Sequence, residues 1–307
     1  MKNIVTITFN PAIDKSTSVK RLVAAHKMHT TEPLYQPGGG GVNVSRALKK
    51  LGFSAAALYF EGGKTGAFYS DLLVAEEVEM IPVKIAGSTR ENFIVNEEDT
   101  GKQFRFGLPG PRVSALEIGM LINRLTSIDY IDFLVVSGSL APGISTDIFK
   151  TLKVIANSKH AKLVVDTSGK ALKSALSSGV YLIKPSIGEL ANLAGKTHLT
   201  VSQAIDAAKA IVNSGKCKII VISRGGKGAV LVSPDAVIKV KAPFVKVVST
   251  VGAGDSMLAG MILSLAKNED IQTALRYGVA CGTAATLTVG TGLCDKKSAD
   301  QLFELIQ

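Results

Sequence analysis

The chain has 307 residues, of which 46% are hydrophobic and 20% charged, with 30 glycines and no tryptophan; this balance excludes long disorder and predicts a substantial buried core. No apolar run reaches transmembrane length, and the apolar start at Ile4 is too short for a secretory signal, so the expected location is cytoplasmic. The net charge of +10 suits anionic small ligands, while the basic residues are too thinly spread, and too little interleaved with aromatics, for a nucleic-acid platform.

Ile4 to Phe9 alternates apolar residues with Thr and predicts a strand, which Pro11 ends. Asp14 is then placed just past that strand, where α/β sheets present ligand-contacting residues; a turn-forming Asp is the plain alternative. Residues 19–22 and 29–31 read as short β pieces in a polar, broken stretch. Four consecutive glycines, Gly38 to Gly41, precede a helical pattern carrying Val44, Leu48 and Leu51. A run so costly to order calls for a reason, and ligand access to the backbone supplies one, with Asn43 free to bond hydroxyls.

Ala55 to Phe60 predicts a strand, followed by Gly62-Gly63-Lys64-Thr65-Gly66, which lacks the spacing of a P-loop. Met80 to Ile85 predicts another. Residues 89–95 and 102–106 alternate around a Gly-containing turn and predict a hairpin. With the 15–35 pieces, this hairpin predicts a small sheet set apart from the main body. Arg90 and Arg105 on it are candidate phosphate clamps, solvated strand arginines being the ordinary alternative.

From Ile118 the pattern alternates regularly: strands at 133–137, 163–166, 180–184 and 219–223, with helices between. That rhythm predicts a parallel, doubly wound sheet flanked by helices. Ser139, Asp166, Lys184, Glu189 and Ser223 all fall at or just past strand ends, which share one edge in such a sheet. The last candidate is Ser249-Thr250-Val251-Gly252-Ala253-Gly254-Asp255-Ser256, before a helical pattern from Met257 to Ala266. Its spacing fits both a capped turn and an anion site made by free helix amides, with Asp255 as a base beside it. Cys217, Cys281 and Cys294 are unpaired by spacing, and the four histidines form no ligand motif, so a disulfide framework and a His/Cys metal site are both excluded.

The two glycine signatures, PGGGGVNVSRAL and STVGAGDSMLAG, resemble those of the ribokinase-type carbohydrate kinases, the phosphofructokinase B family. The resemblance continues through TFNPAIDK, GSLAPG, VDTSGKAL, KPSIGEL and AATLTVGTGLC. It implies a single ribokinase-like domain over 1–307, with a β-sheet lid from segments near 12–35 and 85–107 that also forms a homodimer contact. Within the family the chain looks most similar to the ribokinase-type 6-phosphofructokinases, with tagatose-6-phosphate kinase and 1-phosphofructokinase as near relatives. The implied reaction is ATP-dependent phosphorylation of a sugar phosphate, fructose 6-phosphate first among the acceptors. A catalytically inactive sugar-phosphate or nucleotide sensor is the alternative of another class.

Carried over by position, the resemblance implies that Asp255 is the base and that Gly252, Ala253 and Gly254 form the anion hole. Asp14, Gly39, Gly40, Gly41 and Asn43 would hold the sugar, and Arg90, with Lys27, Arg105 and Ser139, its phosphate. Lys184, Ser186, Ser223, Gly225 and Gly228 would bind ATP. Glu189, with Asp166, would order Mg²⁺ largely through water, although Ser186 stands where the family motif has Asn. Ser249, Val251, Ala285 and Gly290 match positions of a monovalent-cation (K⁺) site, whereas Thr288 and Gly292 depart from the phosphofructokinase pattern there. An Asp in the first turn of a helix should have a lowered pKa.

Overall fold

The computed structural model describes residues 3–306. Strand β1 (Ile4–Thr8) leads into β2 (Ala12–Val19) and β3 (Leu34–Gly38), and then into helix α1 (Gly40–Lys50). β4 (Ala56–Gly62), α2 (Gly63–Ala75), β5 (Met80–Ile85), β6 (Arg90–Glu97), β7 (Lys102–Gly107) and α3 (Ala115–Thr126) follow. The alternating part comprises β8 (Phe133–Ser137), α4 (Ile148–Ser158), β9 (Lys162–Asp166), α5 (Gly169–Ser178), β10 (Val180–Ile183), α6 (Ile187–Leu193), α7 (Val201–Asn213) and β11 (Cys217–Ser223). The chain closes with β12 (Ala229–Val232), β13 (Val237–Val240), α8 (Ala253–Ala266), α9 (Ile271–Ala285) and α10 (Lys296–Glu304).

Nine strands form one sheet in the order β13-β12-β11-β10-β9-β8-β1-β4-β5, and β3-β2-β6-β7 form a second. Every neighbour pair from β5 to β11 is parallel; β12 runs against them, and β13, at the edge, pairs antiparallel with β12. Parallel strands need both faces covered. One face packs on α3 to α7 through residues such as Val5, Ile7, Leu121, Leu152 and Leu190. The other packs on α1, α8, α9 and α10 through Ile4, Val44, Leu258 and Ala280. The mostly parallel, helix-flanked architecture expected from the sequence is therefore present. Among the described residues no helix is long and apolar enough to cross a membrane.

The predicted first strand is present as β1, with all five residues buried, its threonines included. Thr6 Oγ1 bonds Ser45 Oγ at 2.8 Å, and Thr8 Oγ1 accepts from the Val42 amide at 2.7 Å, so both hydroxyls fasten α1 to the sheet. Several local expectations are corrected. Asp14 lies inside β2 rather than just past β1, because the chain turns at Pro11 and at once enters the second sheet. Residues 19–22 and 29–31 are not the strands of that sheet, apart from Val19 at the end of β2. β2 instead pairs with β3, where Pro37 is tolerated because β3 is an edge strand. α8 begins at Ala253, four residues before the predicted start.

The glycine run has a packing cause. Gly39 has φ 110°, a conformation L side chains rarely adopt. A Cβ on Gly40 would lie 2.7 Å from the Gly138 amide nitrogen, and one on Gly41 would collide with the Ile7 carbonyl. The start of α1 is thus pressed against the ends of β1 and β8, the two strands at which the sheet order reverses. Gly41→Ala should destabilise the fold by at least about 1–3 kcal/mol, the usual cost of overpacking, in urea unfolding; an unchanged midpoint would contradict this packing account.

Candidate active site

Because β1, β8, β9, β10 and β11 are parallel neighbours, their carboxyl ends lie side by side. Asn10, Ser137, Asp166, Lys184 and Ser223, scattered over the sequence, become a contiguous row. Over this row stand the amino ends of α1 and α8. Gly252, at φ 74° and ψ 0°, ends the incoming loop in the left-handed region and starts α8. The first-turn amides of Ala253 and Gly254 then have no carbonyl ahead of them in the helix, the arrangement that receives an anion.

Asp255 sits in that first turn, and two other elements hold its carboxylate. Asn43 Nδ2, on α1, donates to Oδ2 at 2.9 Å, and Ser137 Oγ, at the end of β8, donates to Oδ1 at 3.4 Å. The expectation of a lowered pKa is overturned. Burial, reinforced by the nearby charge of Asp166, pushes Asp255 up to about 6, against the opposing bonds from Asn43 and Ser137 and the charge of Lys184. Desolvation in the half-buried cleft outweighs the helix end and the two hydrogen bonds.

Lys184 is buried and pairs with Asp166, Nζ to Oδ2, at 3.1 Å. Its Nζ would lie 3.1 Å from a Cβ on Gly254, so the ammonium stands at the mouth of α8. Burial alone would lower its pKa, but Asp166, Asp255 and Glu189 outweigh that, and the net direction is up. Lys184 is therefore a fixed cation. Burial raises the carboxyl of Asp166, while Lys184 pulls it back.

Ser186 and Glu189 form the N-terminal capping box of α6. Glu189 Oε2 accepts from the Ser186 amide at 2.7 Å and from its hydroxyl at 2.9 Å, and Ser186 Oγ accepts from the Glu189 amide at 3.2 Å. The S-x-x-E spacing carried this signal in the sequence. Ser223 is joined to the same corner, its amide donating to the Pro185 carbonyl at 2.9 Å. Gly225 and Gly228, both at positive φ, shape the loop beyond it.

The second sheet supplies the other side of the cleft. Asp14, buried in β2, accepts from Asn92 Nδ2 at 2.9 Å and from Thr291 Oγ1 at 2.8 Å; the Thr291 amide donates to Gln36 Oε1 at 2.7 Å. Arg90 donates to the carbonyls of Leu108 at 2.8 Å and Asn10 at 3.1 Å, and Asn10 Nδ2 donates to Ser139 Oγ at 3.0 Å. Arg90 Nε and Asn10 Oδ1 are buried without a partner, two unspent polar atoms of the kind a ligand satisfies. Burial lowers the pKa of Arg90, with Asp14 opposing. Arg105 instead bonds Thr250 Oγ1 at 2.6 Å, and Gln103 Nε2 reaches Ser249 Oγ at 3.3 Å, so β7 rests on the loop that enters α8. Lys27 is exposed between β2 and β3 and bonds none of these residues.

The loops named for a monovalent cation do meet. Ser249 Oγ donates to the Gly290 carbonyl at 2.9 Å and accepts from the Val251 amide at 3.2 Å. Thr288 Oγ1, at a position that departs from the resembled pattern, donates to the Ala285 carbonyl at 2.8 Å. Ser137, Asn92, Gln36, Thr291 and Asn10 are site residues that sequence reasoning missed. Only Ser137 and Asn10 carried a signal, each lying at a strand end.

A half-buried carboxylate beside free helix amides and a fixed lysine, facing a polar cleft, defines a group-transfer site for an anionic substrate. The profile of the pfkB family carbohydrate kinases matches residues 5–298, and the chain belongs to that family. It is 39% identical over 304 residues to ATP-dependent 6-phosphofructokinase isozyme 2 of Escherichia coli, covering 99% of this chain and 98% of that protein. It is 34% identical to D-tagatose-1-phosphate kinase of Bacillus licheniformis, covering 99% and 98%. The crystal structure of phosphofructokinase-2 from E. coli in complex with substrates and products superposes with a TM-score of 0.95 over 99% of each chain, at 39% identity.

The raised pKa of Asp255 sets a testable sign. A folded-state pKa above the ordinary carboxylate range favours folding at low pH, and that contribution is lost as pH rises through about 6. Asp255→Asn should therefore be more stable than the wild type at pH 8, by on the order of 1–3 kcal/mol, with the gap closing toward pH 4. Melting curves across that range measure it; a variant less stable at pH 8 would contradict the assignment.

Proposed function

We propose that the chain transfers the γ-phosphoryl group of ATP to the C1 hydroxyl of fructose 6-phosphate, giving fructose 1,6-bisphosphate and ADP. The observation that carries the reading is Asp255, held between Asn43 and Ser137 at the start of α8 with its pKa raised to about 6. A base that titrates near neutrality suits removal of an alcohol proton better than an ordinary carboxylate would. The 39% identity to a 6-phosphofructokinase over nearly the whole chain favours this acceptor over a 1-phosphate sugar.

In this reading Asp255 takes the hydroxyl proton, and the amides of Gly252, Ala253 and Gly254 receive the charge that spreads over the transferred oxygens, usually the larger contribution. Asp14, Asn43 and the backbone of Gly39 to Gly41 orient the sugar. Arg90, with Ser139 near it through Asn10, binds the sugar's phosphate, and its unpartnered Nε supports that role. Arg105 and Lys27 join this group only if they reach a ligand beyond their present contacts. Lys184 neutralises the phosphates of ATP, with Ser186, Ser223, Gly225 and Gly228 forming the nucleotide side.

Mg²⁺ fits the residues present. It usually binds through one or two carboxylates, substrate phosphates and water, and among the described residues no cluster of three or more His, Cys, Asp or Glu forms an all-protein cage. Glu189 and Asp166, whose charges feel one another, would hold it through water; when bound, it neutralises developing phosphate charge. A monovalent cation at Ser249, Val251, Ala285 and Gly290 belongs to the same reading, with Thr288 and Ser249 as hydroxyl competitors for two of the carbonyls. So do a cytoplasmic location and a homodimer built through the four-stranded sheet as a lid. Leu34 in β3 and Phe106 in β7 are exposed, as are Val23 and Met28 in the loop between β2 and β3 and Leu108 just past β7, apolar surface that a second copy would cover.

A coupled assay with ATP, Mg²⁺ and fructose 6-phosphate, fructose 1-phosphate, tagatose 6-phosphate and tagatose 1-phosphate should give its highest kcat/KM with fructose 6-phosphate. The acid limb of that kcat/KM should fall near pH 6, and Asp255→Asn should lose roughly 10²–10⁴-fold in kcat with little change in KM. No turnover of any of the four would overturn the kinase reading and favour a sensor. Arg90→Ala should raise KM for the sugar phosphate and leave KM for ATP in place; the reverse pattern would remove Arg90 from the acceptor side.

A further inference from the structure

Arg46 is among the largest fully buried side chains, and the sequence shows it only as one letter of a glycine-rich signature. Its Nε and Nη2 fork onto Glu76, at the end of α2, at 2.8 Å and 2.6 Å. Its remaining nitrogen, Nη1, donates to the Pro37 carbonyl at 2.6 Å and to Asn43 Oδ1 at 3.1 Å. Pro37 is the last residue before the four glycines, and Asn43 is the residue that donates to Asp255. One guanidinium thereby ties together the end of β3, the first turns of α1 and the end of α2.

The bond to Asn43 has a chemical consequence. A carboxamide has a donor end and an acceptor end that differ little in shape, so its orientation is set by its partners. Arg46 has only donors, and its presence at Oδ1 turns the NH2 group of Asn43 toward Asp255. The carboxylate of Asp255, which only accepts, favours the same orientation, and Arg46 holds the amide from its other end, so that both its rotamer and its distance to Asp255 are fixed. A planar fork with five N–H groups can serve Glu76, Pro37 and Asn43 at once, which a lysine cannot.

We infer that Arg46 is a positioning residue for phosphoryl transfer, acting through Asn43 to orient Asp255. The inference rests on the proposed role of Asp255 as base. Glu76 is the anchor that holds the fork in place, and the Nη1 face of the guanidinium is the part that reaches the chemistry.

The test is steady-state kinetics on the full-length protein with ATP, Mg²⁺ and whichever sugar phosphate the wild type turns over best. Arg46→Lys keeps a cation beside Glu76 but cannot fork, and its kcat should fall about 10- to 100-fold with KM for ATP little changed. In an Asn43→Ala background the same substitution should have almost no further effect on kcat, since its route to Asp255 is already cut. Glu76→Gln, which leaves Nη1 its two acceptors, should lower the melting temperature while kcat stays close to wild type. That split separates positioning from a merely structural clamp. A wild-type kcat in Arg46→Lys, a full additional loss in the Asn43→Ala background, or a kcat that simply tracks melting temperature across the three variants would overturn the inference alone. A wild type inactive on every sugar phosphate would overturn the kinase reading, and this inference with it.

Discussion

The half-buried carboxylate of Asp255 is the constraint on which the rest of the site depends. Taking a carboxylate out of water is costly, and the fold compensates it only in part: two hydrogen bonds, the amino end of α8 and one ammonium that Asp166 already claims. Asp166, Asp255 and Glu189 together present three carboxyl groups around Lys184, the buried lysine among them. Such a centre is short of positive charge. In the proposed reaction Glu189 and Asp166 would hold, through water, a metal ion that supplies positive charge there, and α8 packs on α9 behind the site. The same imbalance lifts the pKa of Asp255 to about 6, toward neutrality, so the excess of acid that costs stability is also what tunes the base.

Partial compensation works only if nothing shifts, and the glycines answer that demand. The carboxyl edge of the sheet offers little room between β1 and β8, and the start of α1 fills it without side chains at Gly39, Gly40 and Gly41. Asn43 is thereby brought within reach of Asp255, although 212 residues separate them. Thr6 and Thr8 add hydroxyl bonds to the same helix. Backbone access for a ligand and close packing are not rivals at this position, because a helix start bare of side chains provides both.

Much of the fold was legible because its signals are local. Strand and helix periods, the turn at Pro11 and the hairpin of β6 and β7 depend on neighbours in sequence. The antiparallel pairings of β12 and of the edge strand β13 were not anticipated, and Pro37 obscured β3, since edge positions relax the rules that make central strands easy to read. Within the site, residues at strand ends or in glycine signatures were visible, among them Asp255, Asp166 and Lys184. Thr291, Gln36 and Asn92 were not, because what makes them matter is contact with Asp14 across as many as 277 residues. The pKa of Asp255 was misread for a related reason: a helix end is visible in sequence, whereas desolvation is a property of the assembled fold. Ser186 and Glu189 are the converse case: their spacing alone states the capping box that the structure shows.

The capping box also bears on how the metal side can work. Oε2 of Glu189 is held by the amide and hydroxyl of Ser186, so the carboxylate is oriented before any ligand arrives. An Asn at position 186 could cap the helix as well, with a longer side chain. The Ser therefore preserves the orientation of Glu189 and withdraws reach toward whatever lies beyond it. On the opposite wall, Arg105 and Gln103 bring the small sheet onto Thr250 and Ser249, and Thr291 fastens Asp14 to the segment after α9. The wall that would hold the acceptor is thus hydrogen-bonded to the loop that would hold the transferred group.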